Sequence, residues 1–183
     1  MNVNNSAAAE KDLIERAKSD KEAFLQIYDL HFKRIYDYAY FRTMDRNEAE
    51  EITSKTFLAA LENIGKYEYR DVPIVVWLYK IASHAVADLY RKKGRTTGWS
   101  ENSVHQENTR TPEAIYVEKS EKEQLMMHLN NLPRMQQQAI VLRYIQEMSH
   151  REISQIMDKT EGAVKQLLFR GLTTLRERMV PNE

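Results

Sequence analysis

One periodicity runs through nearly the whole chain. Phe24, Ile27, Tyr28, Phe32, Ile35, Tyr36 and Ala39 recur at steps of three and four residues. That repeat gathers apolar side chains on one face of an α-helix. It returns as Ile52, Thr56, Phe57, Ala60, Leu61 and Ile64, and again as Ile74, Leu78, Ile81, Ala82, Ala85 and Leu89. The punctuation agrees. Asp45 stands three positions before Glu48 in capping-box spacing, Gly65 follows the second stripe and Pro73 precedes the third. With 5 Gly and 4 Pro in 183 residues, the chain has few of the turn residues a β fold needs. An all-α architecture is expected, with helices over about 20–44, 46–64 and 73–93 and a shorter one around 10–18.

Residues 94–111 break the pattern. GRTTGWSENSVHQENTRT is dominated by Gly, Ser, Thr, Asn and Gln and has no repeat, so it reads as a flexible linker. Helical signals resume at Thr111-Pro112, an N-cap followed by proline at the first helical position. Pro133 opens another helix, with Ile140, Val141 and Tyr144 expected inward. Ser149-His150-Arg151-Glu152 is a capping box, and Ile153, Ile156 and Met157 follow it. Two small helical domains, 1–93 and 112–183, joined by a flexible linker at 94–111, are therefore expected.

A helix of about eight residues, a three-residue turn at Asp158-Lys159-Thr160 and a longer helix to about 179 have the spacing of a helix-turn-helix. Placing residues every 100° puts Val164, Leu167, Leu168, Gly171 and Leu175 together as the core face. Gly162, Gln166, Phe169 and Thr173 fall opposite, flanked by Lys165 and Arg170. Lys and Arg meet phosphates or guanine edges, Gln can pair with adenine and Phe can touch a thymine methyl. Thr160 can cap the helix, and Glu161 in its first turn suits the helix dipole and can accept from cytosine. A merely solvated face would share the charges but not Phe169, a large apolar side chain that needs a partner.

The helix at 73–93 carries a second polar face, Lys80, Ser83, Ala87, Tyr90 and Arg91, with His84 at its edge, and ends in Arg91-Lys92-Lys93. Tyr67 and Tyr69 precede it. Aromatics beside a basic strip can stack unpaired bases. The alternative is that the tyrosines pack on the bundle and the basic run is an ordinary helix C-terminus.

These segments, in order, resemble the extracytoplasmic-function group of bacterial sigma factors over nearly the whole chain. KEAFLQIYDLHFKRIYDYAY is similar to the start of the family's region 2, NEAEEITSKTFLAALENI to its polymerase-binding helix and VWLYKIASHAVADLYRKKGR to its −10 helix. LPRMQQQAIVLRYIQEMSHREISQIMDKTEGAVKQLLFRGLTTLRERM is similar to region 4. The resemblance implies a subunit that binds core RNA polymerase and gives it promoter specificity. Region 4 would read the −35 element in the major groove and dock on the β flap. Region 2 would dock on the β′ coiled-coil and capture unpaired −10 bases. Carried over by position, Lys165, Gln166, Phe169 and Arg170 match −35 contacts, Lys80, His84 and Asp88 match −10 positions, and Tyr67 and Tyr69 lie in the base-capture loop. Glu48, Glu51, Ile52 and Phe57 fall in the polymerase-binding motif. The family usually has Asn at His84, Gln-Glu at Ser54-Lys55, Arg and Ala at Leu167 and Gly171, and Gly at Asp158. An inhibitory anti-sigma partner is also implied.

Other classes fit less well. Cysteine is absent, which excludes disulfides and thiol chemistry within the chain. There is no HExxH and no phosphate-binding glycine loop. Glu147 and His150 have the spacing of one arm of a di-iron site, but such a site needs two arms and two further glutamates. No catalytic site, metal or cofactor is expected. With 27 basic and 27 acidic residues the chain is neutral, so any nucleic-acid face is local. The N-terminal MNVNNSAAAEKD lacks the blocks of a signal peptide and the longest apolar run, Ile74–Tyr79, is too short to span a bilayer, so a cytoplasmic protein is expected. Two rivals remain: a helix-turn-helix regulator binding operators as a symmetric dimer, independently of polymerase, and a purely protein-binding helical module.

Overall fold

The computed structural model describes residues 3–69, 72–97 and 121–179. Among these residues the regular structure is helical throughout. The first block holds α1 (Val3–Ala17), α2 (Lys21–Thr43), α3 (Arg46–Asn63) and α4 (Ile74–Thr97), with one tight turn of helix at Ile64–Lys66. The second holds α5 (Glu121–Asn130), α6 (Arg134–Ile140), α7 (His150–Met157) and α8 (Glu161–Met179). The helix starts are set by side-chain caps. Asp20 accepts from the Glu22 amide at 2.9 Å and Asp45 from the Glu48 amide at 3.0 Å, each satisfying a donor that the first turn leaves unpaired. Glu10 of α1 accepts from the Ile74 amide at 3.1 Å and so opens α4 from a neighbouring helix.

The first core gathers Phe24, Ile27, Ile35, Ile52, Phe57, Leu78 and Ala82 around Tyr38 and Tyr79, whose rings meet edge-on at 5.3 Å. Each large apolar side chain removed from water there contributes about 1.5–3 kcal/mol. Thr53 and Thr56 are buried at no polar cost, since each hydroxyl donates to a carbonyl four residues back at 2.7 Å. In the second block, Leu132, Leu142, Ile153, Ile156, Val164, Leu168 and Leu175 form the core. α6 and α8 approach closely at Gly171, where a Cβ would stand 2.7 Å from Ile140 Cδ1.

Several sequence expectations shift. α1 begins earlier than expected and α4 runs four residues past 93. The α6 helix widens over Val141–Ile145, where the Gln146 amide reaches back five residues to the Val141 carbonyl at 3.0 Å. The widened turn rotates Tyr144 outward, so it is exposed rather than inward. The expected linker beyond residue 97, and the helix start at Thr111-Pro112, lie outside the described residues.

The two blocks pack against each other. α7 lies on α4, and α2 touches both α5 and the widened turn. This second burial shifts part of the α4 stripe: Ile74, Leu78 and Ala82 are buried as expected. Tyr79, Val86 and Tyr90 are buried, while Ile81, Ala85 and Leu89 are only partly covered. A wheel drawn for one buried side cannot describe a helix with two.

Candidate nucleic-acid interface

The helix-turn-helix is held rigidly. Ser149 Oγ accepts from the Glu152 amide and the Glu152 carboxylate accepts from the Ser149 amide at 2.7 Å, closing the capping box at the start of α7. α7 ends at Asp158, whose backbone is left-handed at φ 51° and ψ 48°. Thr160 Oγ1 then accepts from the Ala163 amide at 3.2 Å and opens α8. Val164, Leu168, Gly171 and Leu175 face inward as expected, with Leu167 partly covered. Thr160, Glu161, Lys165, Gln166, Phe169 and Arg170 all lie on the outward side. Phe169 is 72% exposed, an apolar ring in the middle of a polar strip. Capping consumes the acceptor of Thr160, which leaves its O–H free to donate to a phosphate. The exposed amides of the α8 first turn point the same way.

The predicted −10 set divides in two. His84, Asp88 and Arg91 are exposed, and Arg91 pairs with Asp88 one turn away. His84 and Asp88 border a groove between α3 and α4 whose floor is Ile81, Ala85 and Leu89 and whose far wall is Glu51 and Lys55. Lys80 and Ser83 instead face the second block. Lys80 Nζ lies 2.6 Å from Asp158 Oδ1, and Ser83 Oγ accepts from Gln138 Nε2 at 2.7 Å. Tyr90, expected outward, is buried. Its hydroxyl donates to the Arg42 carbonyl, its ring lies 3.8 Å beneath the Arg134 guanidinium, and burial raises its phenol pKa. Tyr67 is partly buried and packs on Trp77 at 4.6 Å. Tyr69 is also partly buried. With Lys66, Lys80 and, from α7, Arg151 and Gln155, the Tyr67–Trp77 pair lines a cleft of about 700 Å³ between the blocks. Trp77 and Arg151 escaped the sequence reading. Trp77 sits inside an apolar run, and Arg151 belongs to a helix distant in sequence.

The polymerase-binding expectation needs correction at two residues. Ile52 and Phe57 are 2% and 4% exposed and belong to the first core. They orient α3 and cannot touch a partner. Glu48 is mostly covered and bridges to Lys93 of α4 at 2.5 Å. Of the four, Glu51 is the one at the surface, beside Ser54, Lys55 and the exposed Leu58. The Lys55 ammonium bonds to the Glu51 carboxylate and holds it below the usual carboxylate range. Leu58 was legible as an apolar residue one step off the buried stripe.

Among the described residues, no three metal-ligating side chains come together, and no helix is long and apolar enough to cross a membrane.

Comparison with known proteins matches both halves. The family model for sigma-70 region 2 matches residues 27–96 and that for sigma-70 region 4 matches residues 122–175. The ECF RNA polymerase sigma factor BldN of Streptomyces coelicolor is 34% identical over 99% of this chain and 69% of its own length. The ECF RNA polymerase sigma factor SigW of Bacillus subtilis is 30% identical over 88% of this chain and 91% of its own. Among solved structures, CnrH in complex with the cytosolic domain of CnrY superposes with a TM-score of 0.70 at 20% identity, covering 92% of this chain and 96% of that one. RpoE of Bartonella quintana, in complex with the anti-sigma factor NepR, gives 0.69 at 21% identity, covering 87% and 98%. These two share the fold.

Proposed function

The chain belongs to the extracytoplasmic-function group of sigma-70-type RNA polymerase sigma factors and is an alternative sigma factor directing transcription initiation; from that premise we propose which of its surfaces meet DNA, polymerase and inhibitor. α8 enters the major groove of the −35 element. Gln166 and Arg170 read base edges, Phe169 covers a thymine methyl, Glu161 accepts from cytosine, and Lys165 and Thr160 hold phosphates. In the first block, Tyr67, Tyr69, Lys80, Ser83, His84, Asp88 and Arg91 form the side that receives the unpaired −10 strand. Trp77 adds a stacking surface beside them. The surface of α3 around Glu51, Ser54, Lys55 and Leu58 docks on the β′ coiled-coil, while the second block docks on the β flap. The chain acts as a non-enzymatic specificity subunit in the cytoplasm, where polymerase works. An anti-sigma protein is its expected partner; RpoE of Bartonella quintana, which shares the fold, is bound by the anti-sigma factor NepR.

The observation that carries the DNA reading is Phe169. An aromatic ring 72% exposed between Lys165, Gln166 and Arg170 is costly in water and is relieved by a base edge. The test is reconstituted transcription with core polymerase on a randomised promoter library. An asymmetric two-element promoter should emerge. Arg170→Ala should weaken −35 use by about 1–3 kcal/mol at one base position. A loss uniform across sequences, with the salt slope shallower by about 1, would assign Arg170 to phosphate instead. Absence of any stimulation, or tight binding of the chain alone to palindromes, would overturn the assignment in favour of an operator-binding regulator.

A further inference from the structure

We infer that the cavity between α2, α4, α6 and α7 is a binding site for a small tetrahedral oxyanion of the phosphate class, held by the Arg42 and Arg134 guanidiniums. Such an ion is no part of the sigma-factor reading. Three observations point to it.

The first is charge. Arg42 is 3% exposed. Its Nε donates to Gln137 Oε1 at 3.3 Å and its Nη1 to the Tyr38 hydroxyl at 3.4 Å. Both bonds are long, and both acceptors are neutral. Among the described residues no carboxylate pairs with Arg42. Asp158, the carboxylate on the cavity lining, pairs with Lys80 at 2.6 Å. Glu48, whose charge reaches Tyr90, pairs with Lys93 at 2.5 Å. A cation taken out of water needs an anion or strong acceptors. The Tyr38 ring, centred 5.9 Å from the guanidinium carbon, offsets only part of that need.

The second is convergence. Tyr90 sets two arginines against one space. Its hydroxyl donates to the Arg42 carbonyl, and its ring centre lies 3.8 Å from the Arg134 guanidinium carbon. Arg134 is 8% exposed, and both arginines line the cavity beside Tyr90. The rigid guanidinium fork matches the oxygens of a phosphate or sulfate.

The third is the remaining wall. Ser83 Oγ accepts from Gln138 Nε2 at 2.7 Å. Its own O–H has no acceptor among the described residues, whereas Thr53 and Thr56 return theirs to helix carbonyls. That proton remains to be donated to a guest. His84, exposed at the rim, can add an imidazole N–H. The cavity volume, about 240 Å³, lies below the roughly 300–1,000 Å³ of sites for drug-sized molecules. It suits an ion of a few heavy atoms with waters, each taking about 30 Å³.

The experiment is calorimetric titration of the full-length chain with inorganic phosphate, at constant ionic strength. Ion concentrations stay in the low-millimolar range, where general salt exclusion is small. One saturable site per chain is expected, sulfate should displace phosphate, and the melting temperature should rise with occupancy. Arg42→Gln should weaken phosphate by about ten-fold or more, the scale of one hydrogen bond to a charged group. If that variant melts too low to titrate, Ser83→Ala should weaken phosphate by about three- to ten-fold within an intact helix. Arg176→Gln, which removes an exposed cation in the last turn of α8, should bind phosphate as the wild type does. Ser83 and His84 also lie on the proposed −10 side, so a DNA phosphate is the second source of the same chemistry. A single-stranded DNA oligonucleotide separates the two. Oligonucleotide binding that Arg42→Gln abolishes, with neither heat nor a melting shift from free phosphate, would assign the arginines to the DNA backbone and overturn the small-ion site. Absence of saturable phosphate binding, or wild-type affinity in both Arg42→Gln and Ser83→Ala, would overturn it as well.

Discussion

Removing one oxygen from Tyr79 tests the packing of the two blocks more sharply than any truncation. The Tyr79 hydroxyl is fully buried and donates to Gln146 Oε1 at 2.6 Å, and Gln146 is itself buried in the turn between α6 and α7. Burial of the phenol, opposed by the nearby Arg34 cation, holds its pKa well above the ordinary tyrosine value. It is therefore a neutral donor at any working pH. In Tyr79→Phe the ring keeps its edge-on contact with Tyr38 at 5.3 Å, so little packing is lost. What is lost is the only side-chain donor seen on Gln146 Oε1 among the described residues. An orphaned buried acceptor costs about 1–3 kcal/mol, against a net value near 1 kcal/mol for an ordinary hydrogen bond. A loss of about 2 kcal/mol divided by a urea slope of about 2 kcal/mol/M moves the unfolding midpoint down by about 1 M. Gln146→Leu alone should cost a similar amount, because it orphans the hydroxyl. The double variant should recover most of the loss, since two apolar groups at one contact leave nothing unsatisfied. The expected coupling between the sites is about 1–2 kcal/mol. Strictly additive losses, or a Tyr79→Phe cost below about 0.3 kcal/mol, would refute the argument, because they would mean that Gln146 reaches water and the blocks do not close at Tyr79.

Three further outcomes are expected. Ser149→Ala breaks the capping box of α7 and should lower stability by about 1 kcal/mol in a denaturant titration; Ser149→Asp should restore most of it. Gly171→Ala gains about 1 kcal/mol of helix propensity but places a Cβ 2.7 Å from Ile140 Cδ1 and 3.3 Å from Gln136 Cβ. Overpacking of about 1–3 kcal/mol should win and lower the melting temperature. His31 is pushed from 6.5 down to about 4, first by burial and then by the neighbouring Arg34 cation. The unfolded chain therefore binds more protons between those values, and the His31 contribution to stability, complete above pH 6.5, is lost as pH falls toward 4. The full shift corresponds to roughly 3 kcal/mol, and partial exposure reduces it to about 1–2 kcal/mol. Glu10, on the same cavity wall, is shifted upward by burial and works in the opposite direction. The comparison of wild type with His31→Leu is thus the measurement: the variant should lose less stability between pH 6.5 and 4.

Much of this architecture is visible in the sequence because each local signal has one physical cause. Asp45, Ser149 and Thr160 cap where their short polar side chains predict, and α8 shows its two sides on a simple wheel because one side alone is buried. The errors share a cause as well. Tyr90, Lys80 and Ser83 were placed outward because a period of 3.6 locates one apolar stripe and says nothing of a polar side buried by residues far along the chain. Motif position alone assigns Ile52 and Phe57 to the polymerase surface, whereas their apolar character assigns them to the core, where they are buried. Tyr144 turned outward because an extra residue in the helical turn shifts every later side chain, and no composition signal marks such a turn.

The contrast between α8 and α4 follows from the chemistry of their polar sides. α8 presents a large apolar ring between its charges, left exposed among the described residues, so on the proposed −35 reading that side is open to a base edge. α4 presents an ammonium, a hydroxyl and an imidazole, groups that accept water, an amide, a carboxylate or a phosphate with similar net energies. A surface of that kind does not choose its partner by affinity alone; proximity decides. Tethering supplies the second block at high local concentration, so on the proposed −10 reading the promoter strand must be supplied at a higher one. α3 carries Glu51 and Leu58 at the surface of the same bundle, with Glu51 across the α3–α4 groove from His84 and Asp88, so a body seated on α3 stands beside that part of α4.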